Sequence, residues 1–229
     1  MSHRSLLSAT VAALVVCFSA PSARSEIAIS IVDSEITAAG IIGLDVEITS
    51  TNPPEDITEF ELVLQLNPIS ATGASALQFV NPQSESHLFD AMGNADPDPN
   101  YVFIGSSDAL DIGGTTFTYD SLTQIRVVDL SVDSNFDPVA VAIDTTPRLL
   151  TRVEIQHNLN GESAASTAGD QFELSILPES AFFNDLADVN FDDTTTATIT
   201  VAATAIPEPG AFAAIAFAGM GLVMRRRRR

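Results

Sequence analysis

Apolar and polar residues alternate with a period of two along most of the chain between residues 26 and 203. Leu44, Val46 and Ile48 alternate with charged or hydroxyl-bearing neighbours, and residues 60–66 repeat the pattern. Successive side chains of a β-strand point to opposite faces, so this period predicts strands with one face in a core. The pattern fails at Val63, which predicts a strand covered on both faces. The further strand-like runs are residues 27–32, 101–105, 124–132, 149–156, 172–177 and 196–202.

Turn-forming dipeptides such as Asn160-Gly161 and Gly169-Asp170 separate these runs. No segment between the termini shows the spacing of an amphipathic helix. About nine strands separated in this way predict an all-β fold, a two-sheet β-sandwich, for one domain of residues 26–203.

Cys17 is the only cysteine of the 229-residue chain, and it lies in a segment that we expect to be removed. A body of about 180 residues buries roughly 70% of its unfolded surface, so it needs no disulfide to hold a core. The sequence therefore excludes a thiol nucleophile, a cysteine zinc site and a redox pair in the body.

Acidic residues dominate the body. Between Glu26 and Ile206 the chain has 29 Asp and Glu residues against three arginines, a net charge of −26, whereas the whole chain carries −20. This charge repels nucleic acid phosphates and anionic lipid headgroups, which excludes both as partners of the body. It attracts divalent cations and favours solubility at high ionic strength.

The first 25 residues have the three parts of a secretory signal peptide. His3 and Arg4 supply a positive start, and residues 6–20 form an apolar stretch. Small residues precede a cleavage site that we predict between Ser25 and Glu26. The pattern predicts a signal peptide helix over residues 1–25 and export of the rest of the chain.

The C-terminus joins an apolar run to a basic block. Residues 210–224 carry no charge and would span about 22 Å as a helix, whereas the hydrocarbon core is about 30 Å thick. This predicts a short, marginal transmembrane helix. By the positive-inside rule, the basic block is a stop-transfer signal that stays cytoplasmic while the acidic body crosses. Its residues are Arg225, Arg226, Arg227, Arg228 and Arg229.

Pro207, Glu208 and Pro209 precede this run, and two prolines around one acid predict an extended, accessible segment. In the order Pro-Glu-Pro, glycine-rich apolar helix and arginine block, residues 204–229 resemble the PEP-CTERM sorting signal of Gram-negative bacteria that produce exopolysaccharide. The resemblance implies recognition by an exosortase-type transpeptidase in the inner membrane. It also implies removal of the tail and attachment or release at the cell surface.

The order of strand-like segments in the body resembles the cohesin-like jelly-roll family. The matching stretches are residues 43–48, 57–68, 150–155 and 169–175. This resemblance implies a jelly-roll sandwich and a ligand-recognition role. Asn67 stands where the family more often has a Tyr-Asp pair before proline, which is a departure from the pattern for dockerin binding.

Catalysis usually needs a tunable base, and the body has two histidines, His87 and His157. His157 follows a predicted strand end, which favours a solvated turn. His87 lies in a polar Ser-Glu-Ser-His stretch without the Gly-x-Ser-x-Gly elbow of a serine hydrolase, which favours a polar loop. We therefore predict a non-enzymatic protein without catalytic residues.

Residues 94–100 and 188–193 place oxygen ligands at alternate positions, a pattern that suits calcium. Neither segment has the glycine and the distal glutamate of an EF-hand loop, so an exposed acidic loop remains the alternative. No other metal or cofactor is expected. The chain has no tryptophan platform for sugars, Tyr101 and Tyr119 lie in strand-like contexts, and most of its 13 phenylalanines are in phase with a core.

Two functional hypotheses follow. The first is an exported, non-enzymatic surface or extracellular-matrix protein with a structural or adhesive role, transiently anchored in the inner membrane. The alternative is a module that recognises a carbohydrate or a protein, such as exopolysaccharide or another surface protein. Saturable binding to one glycan on an array would favour the alternative.

Overall fold

The structure is a computed structural model, and it describes residues 26–51, 54–112, 117–185, 187–191 and 194–202. The predicted signal peptide and the predicted sorting signal lie outside these residues. Within the described ranges, no helix combines the length and the apolar character that a membrane span requires.

The described residues form fourteen strands and one short helix. The strands are β1 (Ile27–Ile31), β2 (Ser34–Thr37), β3 (Ile41–Ser50), β4 (Glu55–Ile57), β5 (Glu59–Ser70), β6 (Ala76–Phe79), β7 (Phe117–Ser121), β8 (Gln124–Leu130), β9 (Val141–Ile143), β10 (Arg148–Asn158), β11 (Gln171–Ile176), β12 (Ala181–Asn184), β13 (Ala187–Val189) and β14 (Thr196–Ala202), and the helix is α1 (Asp108–Ile112).

Two sheets form the sandwich. The first has the strand order β1-β3-β10-β6 and is antiparallel throughout. The second is built around β5, with β8 and then β7 on one side. On the other side of β5, β11 and β12 pair with different parts of the strand. β14 and then a parallel β2 extend this sheet beyond β11, and β13 pairs with β12.

The core lies between the inward faces of the two sheets. Val46 and Ile48 of β3 and Leu62 and Leu64 of β5 are each 0% exposed, as the period-two pattern predicts. The predicted all-β, two-sheet sandwich is confirmed. Val63 is also 0% exposed, which confirms that β5 is covered on both faces at this position.

Residues 101–105, predicted as a strand, form successive turns instead. The Ile104 N–H donates to the Tyr101 carbonyl at 3.2 Å, and the Ser106 N–H donates to the Phe103 carbonyl at 2.9 Å. The prediction was wrong because residues 101–103 are fully buried as a loop against the core, and a short buried run has no period that identifies a strand. The count of about nine strands was too low, since β4, β9 and β13 have only three residues each.

The long strand β5 sets the length of the sandwich, about 35 Å for twelve residues. At one end Phe60 of β5 lies opposite Asp129 of β8. At the other end Ser70 of β5 lies opposite Gln171 of β11. A buried polar cluster occupies each end of the sandwich, and these two clusters are the first candidates for a functional site.

Candidate functional site

His157 lies in β10 at the end of the sandwich where β11 begins, and it is only 2% exposed. The predicted solvated turn was wrong because β10 continues past the predicted strand end and packs its last inward residue. The Ala39 N–H donates to Nδ1 of His157 at 3.1 Å, and Nε2 lies 2.8 Å from the Ser75 hydroxyl. The neighbouring Asp170 carboxylate accepts the Thr72 N–H at 2.9 Å.

This cluster has the composition of a Ser-His-Asp triad but not its proton arrangement. Burial lowers the pKa of His157 below its usual value, and Asp170 only partly offsets that effect, so the ring is neutral near pH 7. Because Nδ1 accepts a hydrogen bond, the single ring proton is on Nε2 and points at Ser75. A triad needs the opposite tautomer, in which Nε2 takes the serine proton. The cluster therefore ties β6, β10 and the turn before β3 together.

Asp129 forms the second cluster, at the opposite end. It follows Ile125 and Val127 in the inward phase of β8 and is 4% exposed. Its Oδ2 accepts hydrogen bonds from the Tyr101 hydroxyl and, at 2.5 Å, from the Ser107 hydroxyl. Its Oδ1 accepts the Leu130 N–H at 2.8 Å. A carboxylate is acceptor-only when ionised, and these donors occupy both of its oxygens.

Burial shifts the titration of this cluster. Burial raises the pKa of Asp129, although the hydrogen bonds from Ser107 and Tyr101 oppose the rise. Burial, followed by the charge of Asp129, raises the pKa of Tyr101 well above its usual value. The phenol therefore keeps its proton and remains the donor.

The Asp129 cluster fixes two loops against each other. Ser107, which donates to Asp129, forms an antiparallel bridge with Ser131. Ser131 directly follows Leu130, whose N–H also donates to Asp129. The Val132 N–H donates to the Ser106 carbonyl at 2.7 Å, and the Ser131 hydroxyl donates to that of Ser106 at 2.8 Å. The turn of residues 101–107 is thus tied to the loop of residues 131–139.

The loop of residues 131–139 is a tight hairpin with an aromatic residue at its turn. The Val139 N–H donates to the Ser131 carbonyl at 2.8 Å, and the Asp133 N–H donates to the Asp137 carbonyl at 2.9 Å. Phe136 has a φ of 64°, a left-handed conformation that is uncommon for a bulky side chain. Backbone strain of this kind costs about 1–3 kcal/mol and persists only where the surrounding structure enforces it.

Four apolar residues are exposed on these two loops, and we name them the tip surface. Phe136 is 58% exposed, Ile104 42% and Val139 37%, and Pro138 between them is also exposed. Single exposed apolar residues are common on proteins. The tip surface differs because its loops are anchored to a buried carboxylate and because its aromatic residue is held in a strained conformation.

His87 lies in a turn of the loop between β6 and β7, but its side chain is buried beside the Asp129 cluster, at 1% exposure. Its ring packs edge-on against Tyr101 at 5.3 Å and against Phe117 at 6.1 Å between centroids. Burial, and then the charge of Arg152, lowers the pKa of His87 to about 4. This burial was not predictable from the sequence because the three residues before His87 are polar.

Surface depressions on the body are open and acidic. Glu85 and Asp90 line one of them, and Asp33 and Glu35 line another. Within the part of the chain that the structure describes, no three His, Cys, Asp or Glu side chains converge as metal ligands would. In the segment of residues 94–100, Asp98 instead accepts the Asn100 N–H at 2.9 Å and faces Arg152 at 3.5 Å.

The residues singled out by sequence are mostly outside the described ranges. Ser25, the Pro-Glu-Pro motif and the arginine block all lie there, as does part of the segment of residues 188–193. Glu26 is described and is exposed directly before β1, and its carbonyl accepts the Thr51 N–H at 3.1 Å. Sequence reasoning missed Asp129, although a charged residue in the inward phase of β8 was a signal that could have identified it.

No protein-family model matches this chain, and no curated protein matches its sequence. Its fold is similar to that of solved cohesin domains. The sixth cohesin of Acetivibrio cellulolyticus scaffoldin B, solved with a Cel5 dockerin, is 10% identical, with 78% of this chain and 99% of that chain covered at a TM-score of 0.46. A non-cellulosomal cohesin from Archaeoglobus fulgidus is 14% identical, with 83% and 96% covered at 0.41.

Protonation of His87 makes stability depend on pH. The unfolded chain binds this proton near pH 6.5, whereas the folded protein binds it only near pH 4. We therefore expect His87 to lower the free energy of unfolding by up to about 3 kcal/mol as the pH falls through this window. Urea unfolding of wild type and His87→Phe measures this, since the stability difference between them should shift towards the variant by that amount. Parallel pH profiles would contradict it.

Proposed function

We propose that this chain is an exported, non-enzymatic recognition protein that binds its partner at the cell surface through the tip surface. Its signal peptide is removed before Glu26, its acidic body crosses the inner membrane, and an exosortase-type enzyme processes its tail at Pro207, Glu208 and Pro209. The body then acts as a ligand-recognition module rather than as a purely structural element.

One observation carries the recognition role. Phe136 is exposed in a strained, left-handed conformation on a hairpin that is tied through Ser131 and Ser107 to the buried Asp129. An aromatic residue that is held rigid before binding loses little conformational freedom on binding, which is the property of an interface anchor. A structural role alone does not require a bulky side chain at this position.

The polar clusters do not supply the groups that catalysis needs. In the cluster at His157 the ring proton faces Ser75, so that serine has no base to activate it. In the cluster at Asp129 both carboxylate oxygens are occupied by donors. This proton and donor arrangement supports recognition in preference to hydrolysis.

The positions of the sheet ends support the proposed export and processing. Glu26 is exposed directly before β1, so cleavage there leaves the edge strand of the first sheet complete. Of the described strands the last is β14 (Thr196–Ala202), and the Pro-Glu-Pro motif follows it in the sequence. Cleavage at both proposed sites therefore leaves every described strand intact.

Phe136→Asn separates recognition from stability, because asparagine tolerates the left-handed conformation better than phenylalanine does. We expect the free energy of unfolding to rise by about 1 kcal/mol. We expect retention of the protein on envelopes of its own cells, prepared from a strain that lacks it, to fall at least about tenfold. The readouts are urea unfolding and a saturation binding curve.

Ile69→Ser is the matched control, since Ile69 is 54% exposed near the opposite end of β5. It should bind the envelopes as wild type does. Equal retention of Phe136→Asn and wild type would overturn the proposed role of the tip surface.

Glu208→Ala tests the processing of the tail. In the source cells the wild-type protein should begin at Glu26 and lack the arginine block, whereas the variant should keep its tail and remain in the inner membrane. Glu179→Ala is the control, because it changes a Pro-Glu pair of the body. Mass spectrometry of both termini in each cell fraction provides the measurement. The intact chain free in the cytosol would contradict export.

A further inference from the structure

The cations of the body are all engaged within it. Arg126 pairs with Glu61, and Arg152 makes two hydrogen bonds to Asp45, at 2.5 and 3.0 Å. Arg148 donates to the Tyr101 carbonyl at 3.0 Å. No lysine occurs in the chain. Arg126 also lies 4.0 Å from Asp120, and Arg152 lies 3.5 Å from Asp98. Carboxylates far outnumber the arginines of the body.

Two exposed carboxylates belong to the hairpin of the tip surface or to the strand pair that follows it. Asp137 is exposed and directly follows Phe136. Asp56 is exposed in β4 and pairs with Ala142 of β9, three residues beyond Val139. An exposed carboxylate therefore follows Phe136 directly in the hairpin, and another lies on the strand that pairs with β9.

Asp133 and Asp137 of the same hairpin have different roles. The Asp133 carboxylate accepts the N–H groups of Asn135 and Asp137, at 2.7 and 3.1 Å, and so holds the turn. These same N–H groups hold the pKa of Asp133 below its usual range. Asp137 is exposed in the turn that Asp133 maintains, so a partner can reach its carboxylate.

Electrostatics selects among the possible occupants of this surface. A second copy of this chain would bring another strongly negative body to within a Debye length, about 10 Å at 0.1 M salt, and would be repelled. Nucleic acid and anionic lipid are repelled for the same reason. A positively charged segment is attracted, and an arginine can lie over an aromatic ring while it pairs with a neighbouring carboxylate.

We propose that the tip surface binds a basic, arginine-containing segment of a partner protein, with Phe136 contacting the apolar part of the segment and Asp137 pairing with its guanidinium. The proposal rests on the recognition role proposed above and names the chemistry of the partner. Asp56 adds a negative charge on the strand that pairs with β9. Such a contact is electrostatically steered, so its affinity falls with salt.

The test uses the full chain in nanodiscs of neutral phosphatidylcholine and two immobilised synthetic peptides, one of alternating arginine and leucine and one of alternating glutamate and leucine. We expect saturable binding to the arginine peptide only, weakened about tenfold by Phe136→Asn and about threefold or more by Asp137→Asn. Raising the salt from 0.1 to 0.5 M should weaken wild-type binding and reduce the effect of Asp137→Asn.

Ile69→Ser controls for nonspecific apolar binding, and Glu179→Gln controls for nonspecific charge attraction. Both residues are exposed elsewhere on the body. Both should bind the arginine peptide as wild type does. If Glu179→Gln weakens binding as much as Asp137→Asn, the peptide is held by overall charge and the proposal is overturned.

The two binding assays together distinguish a wrong choice of partner from a failure of the recognition role itself. If the arginine peptide does not bind while envelope retention still depends on Phe136, the tip surface recognises another ligand, such as a neutral glycan, and the basic partner is wrong. If neither depends on Phe136, the recognition role fails together with this inference.

Discussion

A carboxylate on the inward face of a β-sandwich is the constraint on which the tip of this molecule depends. Removing a carboxylate from water is costly unless hydrogen-bond donors replace the lost solvent. Asp129 obtains those donors from Tyr101 and Ser107, which belong to a loop between β6 and β7, and from the backbone of β8. The loop therefore has to lie over this end of the sandwich for the carboxylate to be satisfied.

The two ends of the sandwich solve the same problem with different consequences. At the His157 end the ring of His157 is paired with Ser75 and the Ala39 N–H, and one Asp170 oxygen accepts the Thr72 N–H, so these groups fasten strands together. At the Asp129 end the paired groups belong to loops. Backbone hydrogen bonds within residues 131–139 and to Ser106 then hold the hairpin that contains Phe136 in place. A rigid scaffold that presents a loop is the usual arrangement for binding sites.

The fold was predictable from the sequence because hydrophobic alternation reports directly which strand faces are buried. Leu62 and Leu64 of β5 illustrate this, and the burial of Val63 was predictable from its break in the alternation. The loop of residues 101–107 was not, because its backbone conformation is imposed by partners distant in sequence. Asp129 is 28 residues from Tyr101, and no local pattern connects them. The exposed, left-handed position of Phe136 was not predictable either, because the hairpin around Phe136 imposes that backbone conformation.

The most direct measurement is hydrogen exchange of backbone amides in Asp129→Leu, which keeps the side-chain size and removes the acceptor. If the carboxylate anchors the tip, the Val132 and Val139 amides should exchange at least about tenfold faster than in wild type, because unsatisfied donors cost about 1–3 kcal/mol. The Val201 amide, which donates to the Asp170 carbonyl at the opposite end, should keep its protection. Unchanged exchange at Val132 and Val139, or equal loosening at Val201, would contradict the account.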